Sequence, residues 1–428
     1  MKNLISLING VRITRNDLFL MSAAFITYTG MYAVRKSFLA GQFTGEAING
    51  FDFKTILVVS QVVGYMLSKF IGIKVVSECP ANRRSLLLVG LVSFGLLMLL
   101  AFAYLPFHLK PLALFFNGLP LGIIFGLVLS YLEGRRNTEL LAATLSATFV
   151  FSTGFIKTTG LLLMQDYGIS EFMMPFVTGL IFFPPFLLSV WLLRRCKPPT
   201  VDDIALRTER IPMRADQRKD FLKKHGLTFG VLVIIYILLT TVRDFRDNFM
   251  VEFWSELNFS DQPEVITLTE IPIAMVVLVI AALGILIRSN RIAFKWGLYA
   301  TVLGAILLLL STFLFEIGLL SPINWMIWSG MGIYLPYILF HCVLFERFIA
   351  LLRYMGTIGF LFYVADAFGY LVSVGVLISK EAFDYQHSWL TFFSKLNIYA
   401  ALSIIAMTIA ILILSHYEQK KIVAKTNF

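Results

Sequence analysis

Two stretches of the sequence place arginine inside otherwise apolar segments. The first, residues 28–38, contains Arg35 and Lys36, and the second, residues 241–248, contains Arg243. A cation inside a bilayer costs at least about 2.5–3.5 kcal/mol, so it requires a partner acid, a water-filled cavity or an anionic ligand. Because guanidinium binds carboxylate or phosphate through two parallel hydrogen bonds, these residues predict an anion-binding pair. The alternative is that both side chains extend to the membrane surface.

Four further charged residues are candidates for binding or coupling. Lys36 lies about 100° around the helix from Arg35, so we expect it to point elsewhere and to pair or reach the interface. Lys157 follows small residues that permit close helix contact, and it either serves the substrate or gate, or pairs with Asp366. Asp366 and Glu270 are the carboxylates best suited to proton coupling, with a structural ion pair as the alternative.

The stretch around Arg243 carries alternating charges. Arg243 and Asp247 are four residues apart and share a helix face, and Arg246 lies near that face beside Asp244. The stretch is either a self-neutralising helix end or a gate whose pairs rearrange. Some polar residues are weaker candidates: His341 for gating or as a hydrogen-bonded core residue, Glu133 for a rim salt bridge, and Tyr28, Tyr32, Gln61, Tyr65, Asn117, Asn248 and Tyr334 around a cavity.

The composition identifies the elements that must position these residues. The chain has 428 residues, of which 58% are hydrophobic and 14% charged, and its mean hydropathy is +0.80. Soluble domains have roughly 25% charged residues, so the surplus apolar surface must face lipid. Twelve segments are long enough to span a bilayer. Their approximate bounds are 17–42, 52–74, 84–105, 111–133, 138–165, 172–194, 226–250, 264–288, 292–315, 322–346, 354–379 and 390–415.

Lys and Arg concentrate in alternate connections, which predicts an inner-membrane protein with both termini cytoplasmic. The longest hydrophilic stretch, residues 197–225, divides the chain into halves at 1–196 and 226–428. We expect parallel repeats, because polar positions recur at an offset of 208 residues. This offset relates Arg35 to Arg243, Gln61 to the neighbour of Glu270, Glu133 to His341, and Lys157 to the neighbour of Asp366. Spans 3, 6, 9 and 12 have no internal charge and are predicted to face lipid.

The layout of six plus six spans resembles the major facilitator superfamily. Residues 72–78 followed by Asn82-Arg83-Arg84 are similar to a degenerate form of its signature between helices 2 and 3. Residues 32–38, Tyr-Ala-Val-Arg-Lys-Ser-Phe, resemble the first-helix pattern of the organophosphate:phosphate antiporters. That resemblance implies an all-α membrane fold of twelve helices in two pseudo-symmetric halves. It also implies that Arg35 and Arg243 grip phosphate, with Lys157 and Glu270 at the family's basic and acidic positions.

The sequence therefore predicts a secondary transporter of a small, anionic organic solute, with organophosphate/phosphate exchange as the narrower hypothesis. We find no phosphate-cradling loop, metal cluster or nucleophile elbow, so we expect no enzyme activity and no cofactor. Phosphate or protons are the expected small partners beside the bilayer, with no nucleic acid, and we expect a monomer. A proton-coupled symporter or exporter of a neutral or amphiphilic solute is one alternative. A non-transporting receptor or scaffold is another.

Overall fold

The computed structural model describes residues 14–48, 50–132, 138–196, 215–287, 289–352, 358–382 and 388–426, and they form a bundle of antiparallel helices. We number the helices by span. Eight unbroken spans are α1 Arg15–Lys36, α2 Phe53–Glu78, α3 Arg84–Tyr104, α5 Thr138–Tyr167, α6 Met174–Arg194, α8 Glu264–Ile285, α9 Asn290–Glu316 and α11 Ile358–Ala382. The longest two are α7 Ala215–Glu256 and α12 Trp389–Thr426. Strands β1 Ala47–Ile48 and β2 Phe51–Asp52 form a short hairpin between α1 and α2.

Helix α7 has a kink at Phe249, where the backbone torsion angles leave the helical range. Two further spans are divided into shorter helices. The fourth consists of helices Lys110–Leu121 and Ile124–Leu132, together called α4. The tenth, called α10, consists of Pro322–Leu339, a π-helical turn Phe340–Leu344 and Phe345–Leu351. Proline within a helix removes one backbone donor, and both breaks follow an internal proline. The π-turn contains His341, so the interruption of α10 places a candidate side chain.

The number of helical spans agrees with the number predicted from the sequence. Among the described residues, eleven helices are long and apolar enough to cross a membrane, and α11 supplies the twelfth predicted span. The largest difference from the predicted bounds is at α7, which begins at Ala215 inside the predicted linker. Its first turns are hydrophilic, so hydropathy alone places the start near residue 226.

The helices predicted to face lipid are among the least buried. Helices α3, α6 and α12 bury 33% of their most apolar stretch, and α9 buries 44%. Helices α1, α4, α7 and α10 bury 67%, 61%, 50% and 83% of the corresponding stretch. Helix α8 is the exception, because it buries only 39% although it carries the charged residue Glu270. Absence of internal charge thus identifies four outer helices, while a helix with one charge can still expose its remaining faces.

Helices α1–α6 form the N-half and α7–α12 form the C-half. The halves meet along α5 and α8 and along α2 and α11. Gly154 of α5 allows the first contact, because a Cβ there would lie 2.9 Å from Cγ of Glu270 in α8. Within the N-half, a Cβ on Gly118 would lie 2.2 Å from the backbone oxygen of Gln61. Small residues thus bring helix backbones together where polar side chains are concentrated.

Candidate functional site

Arg35 lies where α1 ends. The α-helix ends at Lys36 and continues as a 3₁₀ turn, Ser37–Ala40, and such ends leave backbone carbonyls without helical partners. Two side chains satisfy them. Gln61 donates to the oxygen of Arg35 at 2.6 Å and to Asn117 Oδ1 at 2.7 Å, and Asn117 donates to the oxygen of Val34 at 3.1 Å. Gln61 therefore holds the backbone of Arg35, and the prediction that its amide contacts substrate is not supported by its position.

The Arg35 side chain is a buried cation with no acidic partner. It is 3% exposed, and its Cζ lies 3.4 Å from the centre of the Tyr65 ring. Its Nε has no hydrogen-bond partner, and no acidic residue of the described chain forms an ion pair with it. This depth excludes the alternative that Arg35 extends to the surface. Stacking covers the guanidinium face and leaves its in-plane N–H groups as donors.

Arg243 lies across the halves from Arg35 and is neutralised within its own half. It forms an ion pair with Asp244, and NH2 donates to the Tyr370 hydroxyl at 3.4 Å. The Tyr370 and Tyr65 rings meet edge to face at 5.4 Å. The two predicted arginines are therefore joined by an aromatic bridge, Tyr65–Tyr370, with Arg35 stacked on one end and Arg243 bound to the other. Although Arg243 and Asp247 share a helix face, the described structure pairs Arg243 with Asp244 and not with Asp247.

Asp247 instead binds two lysines of the N-half. Its carboxylate oxygens lie 2.8 Å from Lys36 Nζ and 2.7 Å from Lys157 Nζ, and Lys36 also donates to Asn248 Oδ1 at 3.0 Å. Lys36 does point away from the face of Arg35, but it remains buried and does not reach the membrane surface. The side-chain amide donor of this group, Asn248 Nδ2, has no partner.

Of the alternatives for Lys157, the pair with Asp366 is not formed, because Lys157 binds Asp247 and Asp366 binds Lys69. Lys157 lies ten residues before the end of α5, whereas Asp366 lies sixteen before the end of α11. Six residues of helix are about 9 Å, so the two side chains lie at different depths. Glu133, which the predicted offset relates to His341, lies outside the described residues.

Asp366 is part of a different network. It forms a 3.4 Å ion pair with Lys69 of α2, and the Tyr236 hydroxyl donates to its other oxygen. The Tyr236 oxygen lies 3.1 Å from His341 Nε2, so His341 is the hydrogen-bonded core residue that the sequence analysis offered as one alternative. This network lies one helical turn beyond the Tyr65–Tyr370 bridge, because Lys69 and Asp366 are each four residues from the bridge tyrosine of their helix.

The third acid, Glu270, pairs with Arg246. Arg246 NH2 lies 2.7 Å from Glu270 Oε1, NH1 donates to Ser329 Oγ at 3.3 Å, and both charged side chains are fully buried. All three residues belong to the C-half. Glu270 was predicted to couple protons or form a gate pair, with a structural ion pair as the alternative, and Arg246 to belong to a gate. The contact between them does not cross the interface between the halves.

Three charged residues at the interface between the halves were not predicted from the sequence. Lys54 of α2 forms an ion pair with Glu252 of α7 and donates to the oxygen of Leu39 at 3.0 Å. Lys69 of α2 contacts Asp366, as described above. A signal for both lysines was present, because they lie inside the predicted span 2, residues 52–74. Glu252 was assigned to a loop because the predicted span ended at residue 250.

The tyrosines predicted around a cavity lie beside this charged interface. Tyr28 and Tyr32 of α1 pack edge to face with ring centres 5.2 Å apart, and both are buried. Tyr32 is close enough to both arginines to interact with them electrostatically. Tyr334 of α10 has a buried hydroxyl without a hydrogen-bond partner. No group of three or more metal-ligating residues occurs in the described part of the chain.

The family model that matches this sequence covers residues 37–420. The chain belongs to the family of unknown function DUF5690. The match covers most of both halves, including every charged interface residue except Arg35 and Lys36, which lie just before its start. A comparison with curated proteins finds no match.

Solved structures similar to this DUF5690 protein share its fold. The nucleoside transporter NupG superimposes with a TM-score of 0.59 at 12% identity, covering 93% of this chain and 98% of that one. A POT family transporter in complex with a thioalcohol-conjugated peptide gives 0.59 at 14% identity, covering 94% and 96%. The fold is thus of the major facilitator type, and the chain is a multi-pass membrane protein. The narrower resemblance to the organophosphate antiporters is not confirmed.

Proposed function

We propose that this protein is a secondary transporter that moves a small organic anion by alternating opening of its two halves. The observation that carries the proposal is Arg35. Every other cation described above at the interface has an acidic partner, whereas Arg35 is buried beside an aromatic ring with none. An uncompensated buried charge is unfavourable, and a bound anion would compensate it. Arg35 therefore acts as the primary ligand.

Arg243 contributes from the opposite half. Its guanidinium is held by Asp244 and Tyr370, but its Nε has no partner, so it retains a donor for a bound anion. Two arginines suit a carboxylate or a phosphate, and organophosphate/phosphate exchange remains the narrower form of the proposal. Tyr32, beside both arginines, and Asn248 Nδ2 are further donors to the anion. Tyr28 supports Tyr32 by ring packing.

The pairs that cross the halves provide the gate. Lys36 and Lys157 bind Asp247, Lys54 binds Glu252, and Lys69 binds Asp366. We call these the cross-half pairs. Three of them lie towards the loop between α1 and α2, and the Lys69–Asp366 pair lies on the other side of the Tyr65–Tyr370 bridge. Opening either end of the site must break the pairs at that end, so their exchange accompanies transport.

Charge placement supports an inner-membrane location with cytoplasmic termini, because the Lys-rich and Arg-rich connections alternate. With this orientation, the three cross-half pairs near residues 36–54 close the outer end. The Lys69–Asp366 pair then belongs to the cytoplasmic side. The buried interface therefore corresponds to a closed intermediate of the transport cycle.

Proton coupling at Asp366 is a second candidate feature, favoured by its contacts with Tyr236 and, through it, with His341. Protonation of Asp366 would remove the charge that holds Lys69 and so release α2 from α11. In proteoliposomes, Asp366→Asn should then remove the dependence of uptake on a pH gradient. Unchanged gradient dependence in this variant would contradict the role of Asp366.

The test of the anion site begins with purified protein and a thermal-stability screen of metabolites and inorganic phosphate. Compounds that stabilise the wild type are then measured for uptake in proteoliposomes. We expect Arg35→Gln to abolish both the stabilisation by these compounds and their uptake. Arg35→Lys should retain partial binding, because lysine keeps the charge but loses the bidentate geometry.

The matched control is Arg195→Gln, which removes an arginine that stacks on Trp191 at the periphery of α6. This variant should bind and transport as the wild type does. Wild-type uptake by Arg35→Gln would show that Arg35 does not bind the solute and would overturn the proposal.

A further inference from the structure

Aromatic rings of the N-half form a continuous wall beside the two arginines. Tyr28 contacts Phe125 at 5.6 Å and Phe149 at 5.8 Å between ring centres, and Phe125 contacts Phe149 at 5.6 Å. Tyr32 joins this group through Phe149 at 6.5 Å. These rings come from three helices, α1, α4 and α5, and all lie within the same half. Their arrangement therefore persists when the halves separate.

The C-half presents a second wall of rings. Tyr337 contacts His341 at 4.8 Å and stacks on Tyr236 at 5.5 Å, and His341 stacks on Phe362 at 5.1 Å. The guanidinium of Arg243 lies 4.4 Å from the centre of the Tyr337 ring. The second wall is thus directly connected to one of the two proposed anion ligands.

The two walls meet through a few ring contacts. Phe149 lies 5.5 Å from His341 and 6.3 Å from Tyr337, and Phe125 lies 6.4 Å from His341. These contacts cross the interface, so they must break when the halves move apart. Opening then exposes two facing aromatic surfaces next to Arg35 and Arg243. A flat ring between them would replace the lost contacts on both sides.

We propose that the transported anion carries a flat aromatic or heteroaromatic ring. The ring lies between Phe149 of the N-half and Tyr337 and His341 of the C-half, and the acidic group reaches Arg35. This inference rests on the proposed function, because it uses the same arginines, and it narrows the substrate to aromatic acids. Offset or edge-to-face packing on these rings favours a π-face over a puckered aliphatic ring of similar size.

The experiment compares matched acids that differ in the ring. Benzoate is paired with cyclohexanecarboxylate, and phenyl phosphate with cyclohexyl phosphate, in thermal-stability titrations of the full-length protein. We expect the aromatic member of a pair to stabilise the protein at about tenfold lower concentration. The better of the two aromatic acids also identifies whether the site prefers carboxylate or phosphate.

Two variants locate the effect. Phe149→Leu should reduce the aromatic preference to less than about twofold, whereas Phe313→Leu, which changes an exposed ring of α9, should leave it unchanged. If Phe149→Leu does not fold, the comparison of ligands on the wild type still decides the question.

The outcomes separate this inference from the proposed function. Equal stabilisation by aromatic and aliphatic acids, abolished by Arg35→Gln, would overturn the ring preference and leave the anion site intact. An aromatic preference that survives in Phe149→Leu would overturn the assigned ring position. Stabilisation by none of the four compounds would contradict the aromatic-acid proposal, while the metabolite screen would still test the anion site separately.

Discussion

The two halves of the bundle carry opposite charge on the surfaces where they meet. The N-half contributes five cations, namely Arg35, Lys36, Lys54, Lys69 and Lys157. The C-half contributes five acids, namely Asp244, Asp247, Glu252, Glu270 and Asp366, together with Arg243 and Arg246. The arginines of the C-half are neutralised by acids of their own half. The ion pairs that the N-half lysines form in the described part of the chain are with acids of the C-half.

This difference separates structural charge from charge available for function. A pair within one half moves as a unit and is kept throughout a rocking motion. A pair between halves depends on closure, so its energy differs between the closed and open states. Arg35 belongs to neither class, because it has no acidic partner in the described structure. We therefore propose that the Arg246–Glu270 pair stabilises the fold, that the cross-half pairs form the gate and that Arg35 binds the ligand.

The largest expected change is the loss of stability on breaking the Arg246–Glu270 pair within the C-half. Arg246→Gln leaves Glu270 as an unpaired buried charge, and we expect the free energy of unfolding to fall by about 3–5 kcal/mol. The measurement is thermal or denaturant unfolding in detergent. The double variant Arg246→Leu/Glu270→Leu removes both charges and should recover most of the loss. A single variant as stable as the wild type would show that this pair is not structural.

For Arg35, we expect the free energy of unfolding to change in the opposite direction. Because its charge has no acidic partner, Arg35→Gln should leave the ligand-free protein unchanged or stabilise it by about 1–3 kcal/mol. The same unfolding measurement, made beside Arg246→Gln, tests the distinction directly. A loss of several kcal/mol in Arg35→Gln would indicate a hidden structural partner and would remove the main argument for an anion site.

The sequence predicted the fold well because its signals are strong and local. Apolar length predicted the spans, and the absence of charge in the interiors of spans 3, 6, 9 and 12 identified four of the less buried helices. The burial of Arg35 and Arg243 near one another followed from their matching positions. The partners did not follow, because pairing depends on depth and rotation across the interface. A shift of six residues was enough to move Asp366 away from Lys157.

Charge near span ends was also difficult to interpret from sequence. Glu252 lies beyond the predicted end of span 7, yet α7 continues to Glu256 and places it inside the interface. The aromatic walls gave no distinct pattern, since Phe and Tyr are frequent in membrane helices. Phe149 became notable only through its contacts with Tyr337 and His341, which are nearly two hundred residues away in the sequence.

The smallest expected effect is a change in how often the halves separate. Glu252→Gln removes the acid that holds Lys54, which lies over Leu39 at the end of the 3₁₀ turn. We expect the open state to become about five- to tenfold more populated, a change of roughly 1 kcal/mol. The change is smaller than for the Arg246–Glu270 pair because Glu252 is 9% exposed and Lys54 keeps its hydrogen bond to the oxygen of Leu39. The variant Leu39→Cys is made in a protein that lacks Cys79, Cys196 and Cys342. Its thiol should then react with a soluble maleimide faster by that factor.

The matched control for this gate is an acid on the same helix that acts only within the C-half. Glu256 accepts hydrogen bonds from the backbone nitrogens of Trp389 and Leu390, at 2.9 and 3.0 Å. Glu256→Gln should therefore leave the labelling rate unchanged, because no contact between the halves is lost. The exchange Lys54→Glu/Glu252→Lys should restore slow labelling. Equal acceleration by Glu252→Gln and Glu256→Gln would mean that charge on α7, rather than pairing across the halves, controls access to Leu39.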